Sequence, residues 1–135
     1  MITEKMKNIV FYLKKSIDNK MRKYDLTTVQ ILILKYLKDN MDKEVIQKDI
    51  CDHLSLKHST VISIIKRLED KKLVSKETSK NAVIRITKKG IDLSEKIGIK
   101  NGFIEDKILD GFTEEEINAL SKQLDRIYEN VKNNI

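Results

Sequence analysis

Hydrophobic residues recur along most of this chain at helical spacing. Met6, Ile9, Val10, Leu13 and Ile17 form a stripe within residues 2–22, which predicts a first helix ending at a Tyr24–Asp25 break. Thr27 with Gln30 three residues later is a capping-box pattern and opens a second helix, Thr28–Lys38. A polar turn follows at Asn40–Lys43. Gln47–Leu54 predicts a short third helix with Ile50, Cys51 and Leu54 turned inward, and Ser55–Leu56 turns the chain again. The next stretch, KHSTVISIIKRLEDKKL (57–73), places Val61, Ile64, Ile65 and Leu68 at i, i+3, i+4 and i+7, one face of a fourth helix spanning 57–72.

After Leu73 the period shortens. Ala82–Thr87 alternates and is rich in β-branched residues, so it predicts a strand. Leu73–Glu77 is its partner, joined through Thr78–Asn81. Thr87 can cap a further helix reaching about Asp110, with Gly98 and Gly102 as candidate bends. Gly111–Phe112 breaks it. Thr113 with Glu116 is a second capping box, and acids in a first turn suit the helix dipole. Ile117, Leu120, Leu124, Ile127 and Val131 then form a near-heptad stripe to the end. Together with Phe112, Tyr128 and Ile135, that stripe exceeds what the rest of so small a chain can cover, so a second copy is expected to bury it.

The fold class is therefore mainly α with a small β-hairpin. A short helix, a tight turn and an amphipathic helix make a helix-turn-helix, and the hairpin adds a wing. The outward face of the fourth helix carries Ser59, Thr60 and Ser63 early and Lys66 and Arg67 later, with Lys57 and His58 at its entrance. A helix lying in the major groove needs short donors and acceptors where it meets base edges, and cations where it meets phosphate walls.

The charge map strengthens this picture. The 135 residues carry a net charge of +6. Residues 57–89 hold ten basic and three acidic side chains, whereas 103–135 hold four basic and eight acidic. Positive charge is thus concentrated on the proposed reading helix and wing, which points to double-stranded DNA. One cysteine allows no internal disulfide, and no apolar run approaches a membrane span, so a cytoplasmic protein without membrane contact is expected.

Four segments, LTTVQILILKYL (26–37), QKDICDHLSLKHSTVISIIKRLEDKKLV (47–74), VIRITKKG (83–90) and GFTEEEINALSKQL (111–124), resemble the MarR family of winged-helix transcriptional regulators. The resemblance implies one domain over 1–135, with a dimerisation helix at 1–25, the winged helix-turn-helix at 26–90 and dimerisation helices at 91–135. It implies a homodimer whose terminal helices intertwine, which assigns Ile9, Leu13, Phe112, Ile117, Leu120, Leu124, Ile127 and Val131 to the dimer body. It implies DNA contact by Lys57, His58, Ser59, Thr60 and Ser63 and by Lys76 and Lys80, with Lys80 at the wing tip entering the minor groove, and Lys66 and Arg67 join them from the reading of the helix face. The wing is shorter than the family's, Thr78 replaces a customary aspartate, and Lys72 stands where a glycine commonly closes the reading helix.

The leading expectation is a ligand-released repressor that reads a pseudo-palindromic site with helix 57–72 and wing 74–87. Its small effector is unidentified. Two alternatives stay open: a protein-interaction winged helix with weak DNA binding, and a thiol- or metal-sensing regulator. Cys51 suits buried packing better than redox sensing, and His53, His58 and Cys51 make a poor zinc set, so no metal or cofactor is expected. Phe11, Tyr12, Tyr36 and Phe103 are either core residues or the lining of an effector pocket, with core favoured. HExxH, GxSxG and CxxC motifs are absent, and no catalytic residues are assigned.

Overall fold

The computed structural model describes residues 1–98 and 104–135, and four of the described helices begin where a side chain closes the first turn. α1 spans Ile2–Met21 and runs into a single 3-10 turn, Arg22–Tyr24. α2, Thr28–Asp39, opens with the expected capping box: Gln30 N–H donates to the Thr27 hydroxyl (3.3 Å) and Thr27 N–H to the Gln30 amide oxygen (3.1 Å). α3, Gln47–Leu54, is started by Asp49, whose carboxylate accepts from Ile46 N–H at 2.9 Å. α4 spans His58–Asp70 and is followed by β1, Val74–Lys76, and β2, Ile84–Ile86. α5, Lys88–Ile97, is capped by Thr87, whose hydroxyl accepts from Gly90 N–H at 3.1 Å.

These elements belong to one compact unit, Met1–Ile99. α2 is its centre and packs against α1, α3, α5 and β2. Ile31, Ile33, Leu34 and Leu37 from α2 meet a core that includes Ile50, Val61, Ile65, Leu68, Leu73 and Ile84, all nearly without exposure. Burying each such side chain stabilises the fold by about 1.5–3 kcal/mol before entropy is counted. The strands pair antiparallel with Val74 opposite Ile86 and Lys76 opposite Ile84, and Ile84 N–H also donates to the Val45 carbonyl at 2.8 Å. Gly90 lies against this hairpin: a Cβ there would stand 2.3 Å from the Leu73 carbonyl oxygen and 2.7 Å from Ile86 Cγ1.

The second unit runs to Ile135 and contains α6, Glu105–Ile108, and α7, Glu114–Asn134. Gly111 turns with φ +84°, and the Thr113–Glu116 capping box forms as expected. α7 buries no residue fully. Ile117, Leu120 and Ile127 are half-buried, while Leu124, Tyr128 and Val131 are exposed.

Three expectations change. The helix expected from Thr87 to about Asp110 is not continuous: α5 stops at Ile97, because Gly98 takes a left-handed C-cap (φ +77°) whose N–H returns to Ser94 and Glu95 carbonyls. The strands are shorter than Leu73–Glu77 and Ala82–Thr87, although Glu77 N–H still reaches the Val83 carbonyl at 3.2 Å. Phe11 and Tyr12 are not core. They form an exposed edge-to-face pair, because α1 buries only Ile17 and Met21. Gly102 and Phe103 lie outside the described residues.

Candidate nucleic-acid interface

The amphipathic pattern of α4 fixes which of its side chains face out. Val61, Ile65 and Leu68 are buried, so Ser59, Thr60, Ser63, Lys66 and Arg67 are exposed, as are Lys57 and His58 at the entrance. Lys57 is the N-cap residue and makes no capping bond, as expected of a side chain without an acceptor. The helix ends at Asp70 and not at Lys72. Lys72 itself adopts the left-handed conformation (φ +62°) that a glycine would accept without strain. Leu73 N–H then bonds the Leu68 carbonyl, and Thr87 donates its hydroxyl to the Lys72 carbonyl at 2.7 Å, so the wing starts directly from the end of the helix.

The wing brings Lys76 and Lys80 to the same unit. Lys80 is exposed in the hairpin turn, beside Asn81 at φ +56°. Lys76 is half-buried. With His58, Gln47, Lys48, Ser79 and Asn81 it lines a cleft of about 230 Å³ between the start of α3 and the wing. Gln47 Nε2 lies 3.1 Å from His58 Nδ1 and 3.5 Å from the His58 carbonyl, which fixes the two helix entrances against each other. Gln47, Lys48, Ser79 and Asn81 were not singled out from sequence. The available signal was the position of Gln47 and Lys48 in the first turn of the helix that precedes α4.

Arg67 is placed apart from Lys66. It lines a larger cleft, about 610 Å³, between the end of α1, the start of α2 and the end of α4. Arg22, Arg67 and Lys71 supply cations there, and Asp18, Asp25 and Asp70 supply anions. Lys71 Nζ donates to the Asp25 carbonyl and lies 3.4 Å from the Asp25 carboxylate.

Cys51 is buried with its Sγ 3.7 Å from His58 Nδ1. Burial pushes its thiol above the ordinary value, and the charge of Asp52 adds to the shift, so the reactive thiolate is disfavoured. His53 stacks on Tyr36 at 4.5 Å between ring centroids. Among the described residues, no group of three His, Cys, Asp or Glu side chains is arranged to hold a metal, and no helix is long and apolar enough to cross a membrane.

A family model described as transcriptional regulator SarA/Rot matches residues 13–97, a span that contains α2 to α5 and both clefts. The chain belongs to this SarA/Rot family. Solved structures extend the likeness to the MarR regulators. MarR from Oenococcus oeni is 30% identical, with a TM-score of 0.82 over 96% of this chain and 99% of that one. A MarR-family regulator from Listeria monocytogenes, solved with a 26-mer DNA, is 28% identical with a TM-score of 0.85 over 97% and 89%. The MepR–DNA complex of S. aureus, 24% identical, shares the fold at a TM-score of 0.89 over 97% and 96%. No curated protein matches the chain significantly in sequence. This SarA/Rot-family chain is thus a DNA-binding transcriptional regulator of winged-helix, MarR type.

Proposed function

We propose that two copies of the chain form a repressor, released by a small ligand, that reads a pseudo-palindromic duplex with α4 and the wing. The observation that carries this is the exposed face of α4, where Ser59, Thr60 and Ser63 precede Lys66 on the same unit as Lys76 and Lys80. Short hydroxyls suit base edges, while lysines suit phosphates or the negative potential of a narrow groove. The hydroxyl set gives discrimination between sequences and the lysine set gives affinity for any duplex.

Assembly is supported by the apolar surface of the terminal helices. Ile9, Val10, Phe11 and Tyr12 of α1 and Leu124, Tyr128 and Val131 of α7 are each about half exposed or more. Leu13, Ile117, Leu120 and Ile127 are half-buried beside them in sequence, and Phe112 is exposed. A twofold dimer that covers these faces would set two reading helices roughly 34 Å apart, one turn of duplex. The 610 Å³ cleft against the end of α4 is where a small ligand would act on the reading helix.

The test is a salt titration of binding to a selected site and to random duplex. Ser63→Ala is expected to weaken the selected site more than random duplex. Lys80→Ala is expected to weaken both, with a salt slope reduced by about one ion per contact, hence about two per dimer. If both variants match the unmodified protein on both duplexes, this face does not read DNA and a protein-interaction role takes its place.

A further inference from the structure

Ile62 is 49% exposed in the middle of the outward face of α4. It follows Ser59 by three residues and precedes Ser63 by one and Lys66 by four, so the four share one stripe of the helix. The other large apolar side chains of α4 turn inward: Val61, Ile65 and Leu68 are buried and Ile64 is half-buried. Between Thr27 and Gly98, Met41 is the one other large hydrophobic residue this exposed. A scattered apolar residue on a surface needs no explanation. An apolar residue centred on a polar reading stripe is different, because it interrupts the hydrogen-bonding face where each position meets a base edge.

Isoleucine gives nothing to an exposed helix position that alanine, lysine or glutamate would not give better. Its chemistry is a stiff, branched hydrocarbon held in one strongly preferred χ1 rotamer. The major groove presents one apolar group, the C5 methyl of thymine. Resting on the DNA-reading function proposed above, we propose that Ile62 is a specificity residue that packs on a thymine methyl, between bases contacted by Ser59 and Ser63.

Thymine and uracil pair identically and differ only by that methyl, so the test replaces single thymines. Sites are first selected from random duplex with the unmodified protein, then each thymine is changed in turn to deoxyuridine. One position per half-site is expected to lose about fourfold in affinity, or about fifteenfold when both half-sites are changed, the value of one buried methyl each. Ile62→Ala is expected to bind the thymine duplex with the same loss and to be indifferent to uracil at that position, whereas Ile62→Val retains part of the preference. Indifference of the unmodified protein to uracil at every position overturns the proposal. So does an Ile62→Ala variant that keeps the full thymine preference. In both cases salt-dependent duplex binding persists and the DNA-reading function stands. Absence of salt-dependent binding to any duplex removes both.

Discussion

Thr28 donates both its backbone N–H (2.7 Å) and its hydroxyl (2.5 Å) to one carboxylate oxygen of Asp18, tying α1 to the first turn of α2. The Thr28 hydroxyl is the largest influence on Asp18 and holds its carboxyl below the ordinary range. Partial burial opposes this, while the Thr28 N–H, Lys14 and Arg22 reinforce it.

The sign of the pH effect follows. A carboxyl with a depressed folded-state pKa stabilises the fold above its unfolded value, and that stability is lost as pH falls through the folded value. Urea midpoints are therefore expected to drop on acidification from about pH 5 downward. Asp18→Asn should flatten that part of the profile. Asp18→Ala should cost about 1–2 kcal/mol at neutral pH. A pH profile unchanged in Asp18→Asn would show that this contact is not what acid breaks.

Gly90→Ala should destabilise by about 1–3 kcal/mol or more, because the added methyl meets backbone and a buried Ile86 side chain. Thermal melting followed by circular dichroism measures this. A melting point equal to that of the unmodified protein would mean that the hairpin moves freely away from α5.

Cys51 should resist thiol reagents in the folded protein and react quickly once denatured, given its burial and raised pKa. Peroxide treatment should leave duplex affinity unchanged. Rapid labelling of the native thiol at neutral pH, accompanied by loss of DNA binding, would favour a thiol-sensing regulator.

Leu124→Asp should weaken self-association at least tenfold, since the new carboxylate would have to be desolvated at the contact. Sedimentation velocity across micromolar concentrations reads the change. An unmodified protein that sediments as a monomer throughout that range excludes the proposed assembly.

Much of this was legible in the sequence because the deciding signals were local. The Thr27–Gln30 and Thr113–Glu116 boxes mark helix starts through bonds spanning three residues. The α4 stripe sorts inward from outward positions by periodicity alone. The end of α5 was harder: a glycine inside a helical pattern is either tolerated or a cap, and only the left-handed turn at Gly98 decides. Phe11 and Tyr12 stand beside the Met6–Ile17 stripe, and their aromatic character favours burial without reporting that α1 turns them outward. The Cys51–His58 contact and the cleft joining Gln47 to Lys76 depend on how α3, α4 and the wing meet, and no local spacing reports that.

The two ends of α4 are held unequally. At the far end, Lys71 is pinned to Asp25, and Lys89 Nζ and the Thr87 hydroxyl bond the Lys71 and Lys72 carbonyls. At the entrance there is no capping bond, and the Gln47 amide holds His58 from the side. Along its length of about 20 Å the helix thus carries its backbone tethers at the heel, beside the α1–α2 junction, and leaves the hydroxyl-bearing entrance to packing on α3 and one side-chain amide.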